Sequence, residues 1–187
     1  MKLAYIVAGP NGSGKTTFAK EFIENTNLIF INADEIAKAL SPSRLEKMRL
    51  KAGKIFFAKI ENCIIKKKSF VVETTLAGKY LIKIIDKIKN NGYKIILIYI
   101  YLESIEEAIR RIDIRVKKGG HTVPKKDIKR RFKRSMDNFW NIYRKKVHNW
   151  EMFFNSKDEF LQVAVGIGNE VDVINEEYFS LFIREVS

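Results

Sequence analysis

Residues Gly9-Pro10-Asn11-Gly12-Ser13-Gly14-Lys15-Thr16-Thr17 gather three glycines, a lysine and two threonines in one short stretch. The pattern is G-x-x-x-x-G-K-[ST]. Glycines let a backbone wrap a phosphate with its amides pointing inward, and a helix starting there adds the positive end of its dipole. Gly9, Asn11, Gly12, Ser13 and Gly14 are expected to wall the cradle for ATP. Lys15 is expected to bridge the β- and γ-phosphates, Thr16 to hold Mg²⁺ through its hydroxyl, and Thr17 to donate to the α-phosphate. A chance glycine-rich turn would lack the context found here. An apolar run, Leu3 to Ala8, precedes the stretch and a helical pattern follows it.

Two acids stand where this chemistry needs them. Ile31-Asn32-Ala33-Asp34 closes one short apolar segment, and Val71-Val72-Glu73-Thr74-Thr75 closes another. In a parallel sheet the carboxyl ends of the strands face the ligand crevice. Asp34 could take the proton of an acceptor hydroxyl as the γ-phosphoryl group moves to it. It could equally serve as the N-cap of the next helix. Glu73 could support Mg²⁺ through water, contact the acceptor, or cap a helix. Glu103 is a weaker candidate of the same kind.

The cations are concentrated. Residues 110 to 148 carry 15 basic and 3 acidic side chains, out of 35 and 22 in the chain. Such a surface attracts phosphate, on nucleotides or on nucleic acid, although a lysine-rich face also serves solubility. Arg111 and Arg115 lie four apart, on one helix face, with Arg110 nearby. Arg130, Arg131 and Arg134 follow a break at Lys117 to Pro124 that holds two glycines, a proline and His121. Two arginine-bearing helices joined by a glycine loop suit a lid over residues 110–134 that excludes water and brings guanidinium groups to the phosphoryl. His121 either contacts phosphate or fixes the loop. Phe139, Trp140 and Tyr143 interleave with basic residues, as a base-stacking surface would, but their helical spacing reads as core. His148 reads as packing or surface.

Strands are expected at residues 3–8, 28–31, 69–73 and 93–102, then at 151–155 and 160–165. Helices are expected at 16–25, 33–40, 43–67, 79–90, from a Ser104 cap to about 118, at 125–150 in one or two pieces, and at 175–186. Ser104 and Glu107 have the spacing of a capping box. The alternation makes this an α/β chain, with a mostly parallel central sheet flanked by helices and a helical basic lid. One domain over 1–187 is expected.

Composition excludes several classes. Of 187 residues 46% are hydrophobic and 30% charged, the balance of a globular protein and not of a disordered or collagen-like chain. No apolar run approaches a membrane span, and Met1 to Gly9 is too short for a signal peptide. Cys63 is the one cysteine, so no internal disulfide forms, and a cytoplasmic location is expected. No N-K-x-D guanine motif and no L-S-G-G signature is present, which argues against a GTPase and an ABC-type ATPase.

AGPNGSGKTT, INADEIA, FVVETTLAG and RVKKGGHTVPKKDIKRRFKRSMDN occur in that order, and together they resemble the zeta toxin family and related small P-loop kinases. The resemblance spans roughly residues 3–155. It implies a P-loop NTPase fold of the small-kinase type and a kinase that uses ATP and Mg²⁺. Zeta toxins phosphorylate the 3′-hydroxyl of the amino sugar in UDP-N-acetylglucosamine, and a small antitoxin protein often restrains them. By resemblance Asp34 is the base, Lys15 and Thr16 keep the roles above, and Glu73 and Thr74 match acceptor-side positions. Arg115 and one of the adjacent pair Arg130 and Arg131 match the lid arginines. Arg111 and His121 are expected to help bind substrate. The chain is compact and its lid rich in lysine, so the kinase class transfers better than the acceptor. Two other readings remain: a polynucleotide or RNA 5′-hydroxyl kinase on the same core, and a nucleotide-gated ATPase or binding protein without a small-molecule acceptor.

Overall fold

The computed structural model describes every residue except Ser43, His121, Lys157, Asp158 and Ser187, and the side chains of all the others except Leu45 and Glu46. Its elements run β1 (Lys2–Ala8), α1 (Lys15–Ile23), β2 (Ile29–Asn32), α2 (Ala33–Leu40), α3 (Leu45–Ile65), β3 (Phe70–Thr74), α4 (Leu81–Asn90) and β4 (Tyr93–Tyr101). Then come α5 (Ile105–Lys117), α6 (Lys125–Asn138), a π-helical turn (Phe139–Tyr143), β5 (Asn149–Ser156), β6 (Glu159–Ile167), β7 (Glu170–Val173) and α7 (Glu176–Val186). The strands form one sheet in the order β2-β3-β1-β4-β5-β6-β7. The first five are parallel, while β6 and β7 return antiparallel.

The central strands are apolar over most of their length because helices cover both faces. In β4 the side chains of Ile95, Leu97, Tyr99 and Tyr101 join the larger core, with residues of α3, α4, α6 and α7. The alternate residues Ile98 and Ile100 join Val7, Val71 and Ala19 of α1 on the opposite face. This is the period-two alternation of a pleated strand, hidden in the sequence because neither face is polar.

Two expectations are corrected. The helix expected over 125–150 gives way at 138 to the π-helical turn, and residues 149–150 already belong to β5. Trp150 is fully buried, and the backbone N–H of His148 donates to the Ile95 carbonyl while Ile95 N–H donates to His148 Nδ1 at 3.0 Å. The basic, aromatic spacing thus continues past the helix into a strand. The sequence reading also missed β7. Its four residues, Glu-Val-Asp-Val, are too few and too acidic to stand out. Phe139 stacks on Tyr99 at 4.0 Å between ring centroids, and Trp140 packs on Trp150, Phe179 and Phe182. These rings are core, not a base-stacking surface. Among the described residues no helix is long and apolar enough to cross a membrane.

Candidate active site

Strands β1, β2 and β3 deliver their carboxyl ends to one edge. Parallel register sets Asn32 of β2 beside Glu73 of β3, and Glu73 beside Val7 of β1. Immediately after β1 the chain turns through the glycine loop. Gly9 has φ +146°, and a Cβ there would run into the Ile100 carbonyl of β4. Gly14 has φ +86°, and a Cβ there would run into the Asn155 amide of β5. The loop therefore lies tight against two neighbouring strand ends, and α1 begins at Lys15 without a linker. Asn155 Nδ2 donates to the Ser13 carbonyl at 2.9 Å, pinning the loop apex. Asn11 Oδ1 and Ser13 Oγ are buried and have no hydrogen-bond partner among the described residues.

Lys15 is 7% exposed, and its Nζ donates to the Pro10 carbonyl at 2.7 Å, across the mouth of the loop. Burial lowers its pKa, with the Arg115 charge adding and the Glu73 and Asp34 carboxylates opposing. Glu73 shows the mirror image. Burial raises its pKa, while Lys15 and the hydrogen bonds from Thr16 and Asn32 oppose that rise. Both groups are held against the preference of their surroundings for neutrality, and arriving charge of opposite sign would relieve each. Glu73 accepts from Thr16 Oγ1 at 3.0 Å and from Asn32 Nδ2 at 2.6 Å, one donor to each oxygen.

Asp34 is exposed on the cavity wall. The capping duty open to it in sequence is performed by Asn32, whose Oδ1 accepts from the N–H groups of Asp34 and Glu35 at 2.7 and 3.1 Å. Thr74 is buried. Its Oγ1 accepts from Leu76 N–H at 3.2 Å and lies 3.4 Å from Tyr80 Oη. Leu76 takes φ 52°, a left-handed conformation uncommon for leucine. Two groups from beyond the lid hold this loop. Asn138 Nδ2 donates to the Leu76 carbonyl at 2.7 Å, and Tyr143 Oη to the Gly78 carbonyl at 2.6 Å.

Four arginines of α5 and α6 rest beside local acids. Arg110 and Arg111 both bond Glu107, at 2.6 and 2.7 Å, and Arg111 also donates to the Asn155 carbonyl at 3.3 Å. Ser104 caps α5 by accepting from Glu107 N–H at 3.1 Å, but the Glu107 carboxylate is spent on these arginines. Arg130 bonds Asp127 at 2.7 Å, whereas Arg131 stands 3.9 Å from it and faces the cavity. Arg115 also lines the cavity. Arg134 and Glu103 are exposed and do not line it.

Two hollows meet at the loop. One, of about 420 Å³, joins Lys15, Thr16, Asp34, Glu73, Thr74 and Arg131. The other, of about 530 Å³, lies between the loop and α5, against Arg110, Ile114 and Lys118. Gly12, Gly14, Thr17, Arg111 and Arg115 border both. His121 lies outside the described residues. The sequence reading missed Asn32, Lys38, Arg49 and Tyr80, which the fold also brings to this place. Lys38, Arg49 and Tyr80 lie outside the four motifs, and Asn32 lies within INADEIA with no charge to mark it. The oxygen-only pair of Thr16 hydroxyl and Glu73 carboxylate suits a hard cation such as Mg²⁺.

The chain matches the family model described as Zeta toxin over residues 1–161. An uncharacterized protein of Haemophilus influenzae (strain ATCC 51907 / DSM 11121 / KW20 / Rd) is 32% identical over 129 residues, covering 69% of this chain and 91% of that one. The AvrRxo1-ORF1:AvrRxo1-ORF2 structure with sulphate ions superposes with TM-score 0.74 at 19% identity, and the structure of that complex with ATP at 0.71 and 20%. In both, all of this chain is covered and 63% of the other, so it spans somewhat under two thirds of that relative. A structure from the PezAT chromosomal toxin–antitoxin system of Streptococcus pneumoniae gives TM-score 0.61 at 14% identity, covering 100% and 86% of the two chains. These likenesses show a P-loop kinase fold.

Proposed function

The chain belongs to the zeta toxin family, and from that premise we propose that it is an ATP- and Mg²⁺-dependent kinase acting on a hydroxyl of a small acceptor, a nucleotide sugar such as UDP-N-acetylglucosamine. One observation carries the reading: a single cavity gathers the loop lysine, an exposed carboxylate with no capping duty, a half-buried carboxylate bonded to the loop threonine, and the three arginines Arg111, Arg115 and Arg131. The glycine loop holds the phosphates by its amides. Asp34 takes the proton from the acceptor hydroxyl as that oxygen bonds to the γ-phosphorus. The bond from phosphorus to the bridging oxygen breaks, and ADP leaves. Lys15, Arg115 and Arg131 meet the charge that develops on the moving phosphoryl. Thr16, with Glu73 through water, would hold Mg²⁺, which neutralises phosphate charge when bound. Arg111 and Thr74 shape the substrate walls.

The test is γ-phosphate transfer from labelled ATP. UDP-N-acetylglucosamine, other nucleotide sugars, a short 5′-hydroxyl RNA and water alone are offered in parallel. Label on a nucleotide sugar, lost in Lys15→Ala and Asp34→Ala, is expected. Free phosphate alone, unchanged by Asp34→Ala, would remove Asp34 as base and leave an ATPase. A second reading, an RNA 5′-hydroxyl kinase, is favoured by the exposed basic face of α6, where Lys125, Lys126, Lys129, Lys133 and Arg134 stand in solvent. It predicts label on RNA and binding that weakens steeply with salt. The same face would suit a small acidic antitoxin, a partner class that the PezAT relative brings to mind.

A further inference from the structure

We propose that Asn32 is a positioning residue that holds the Glu73 and Asp34 carboxylates in one frame, and that the site requires an amide there. The proposal rests on the roles given above to Glu73 and Asp34.

The observation is one side chain used at both ends. Strand β2 stops at Asn32 and α2 starts at Ala33, with no loop between. Asn32 Oδ1 accepts from the N–H of Asp34 at 2.7 Å and of Glu35 at 3.1 Å, which fixes the first turn of α2 and so the backbone that carries Asp34. Asn32 Nδ2 donates to Glu73 Oε2 at 2.6 Å. The residue is 7% exposed, so water has little access to replace either bond. The other Glu73 oxygen accepts from Thr16 Oγ1. If Thr16 turns to another duty, Asn32 remains as the neutral donor that keeps Glu73 oriented.

No other side chain of this length does both jobs. An aspartate at 32 would still cap α2 but would set a second carboxylate against Glu73 in a buried place. A serine would still cap, since its hydroxyl accepts from helix N–H groups, but would be too short to reach Glu73. Alanine would do neither. Asn32→Ser therefore separates the bond to Glu73 from the cap, and Asn32→Asp gives a second cap-preserving variant.

The experiment compares wild type, Asn32→Ser and Asn32→Asp by three measurements. These are thermal unfolding, calorimetric binding of AMP-PNP in EDTA and in Mg²⁺, and phosphate release and transfer from labelled ATP. The expected result for Asn32→Ser is near-native unfolding and AMP-PNP affinity in EDTA within about twofold of wild type. The Mg²⁺-dependent gain in affinity and kcat should each fall by about tenfold or more, the scale expected for one hydrogen bond to a charged group, with KM for ATP little changed. Asn32→Asp should lose at least as much. Retention of the Mg²⁺ gain and of kcat within about twofold in both variants would overturn the proposal. So would a parallel loss of unfolding temperature and of EDTA-state binding, because that would mark a scaffold role only. A wild type with no Mg²⁺-dependent gain would instead sink the reading of Thr16 and Glu73, and this proposal with it.

Discussion

The glycine loop and the helix pair α5–α6 both present cations to the same cavity, yet they hold them in opposite ways. Lys15 is buried, bonded to a backbone carbonyl, and depressed in pKa by its surroundings. Four arginines of the α5–α6 pair, Arg110, Arg111, Arg130 and Arg131, lie nearer the surface, beside acids three or four residues away, Glu107 or Asp127. Ion pairs near the surface contribute little to stability and are weakened by salt. The loop is thus fixed by backbone contacts around a buried cation. The α5–α6 pair keeps much of its charge on local acids.

The largest effect should come from the loop. Lys15→Ala should lower phosphoryl transfer by about a hundredfold to a thousandfold, measured as kcat/KM with labelled ATP. An equal loss on removing any one lid arginine would erase the contrast. Next, Arg131→Ala should cost about tenfold or more in kcat/KM, and Arg130→Ala no more than about threefold. Arg131 faces the cavity while Arg130 is turned to Asp127, so equal losses would contradict that placement.

The two regions should also differ in the sign of their pH response. Burial raises Glu73 above its ordinary 4.5, so the folded apo protein binds the proton more tightly than the unfolded chain. Its share of stability is present below 4.5 and declines as pH rises through the raised folded value. Glu73→Gln should abolish that decline and raise the unfolding temperature of the apo protein at neutral pH, measured by calorimetry in EDTA. Glu107 runs the other way. Hydrogen bonds from Arg110 and Arg111 draw it down to about 2. Its contribution is present above the ordinary 4.5 and fades as pH falls toward 2. Glu107→Gln should be the smallest effect, under about 1 kcal/mol in denaturant unfolding at neutral pH and smaller still in high salt.

What could be read in advance divides along the same line. The loop is contiguous, its flanking strand is apolar throughout, and Asp34 and Glu73 close strand-like segments, so chemistry and position coincide in sequence. The lid needed the fold. Arg130 and Arg131 are neighbours in the chain, but successive helix positions point about 100° apart, and only packing decides which one meets the cavity. Arg49 comes from the second turn of α3 and Tyr80 from the N-cap of α4, elements that share no motif with the loop. Asn32 carries no sequence signal of its own, because its contact with Glu73 depends on β2 pairing with β3. The end of the basic block misled for a related reason: aromatic spacing describes a buried face equally well in a helix, a π-helical turn and the strand that follows.

Helix α6 is a rod of 14 residues, about 21 Å long. Asp127, Arg130 and Arg131 occupy its first two turns, and its last residue, Asn138, grips the carbonyl of Leu76 in the loop that carries Thr74 and Tyr80. A rod with both ends engaged is a lever. Any tilt that brings Arg131 toward a phosphate also moves the grip on the left-handed Leu76. Under the proposed function, nucleotide and acceptor share one mechanical coordinate, and thermodynamic linkage makes their coupling reciprocal. Calorimetry in either order of addition should show each ligand changing the other's affinity by the same factor, and Asn138→Ala should bring that factor toward one.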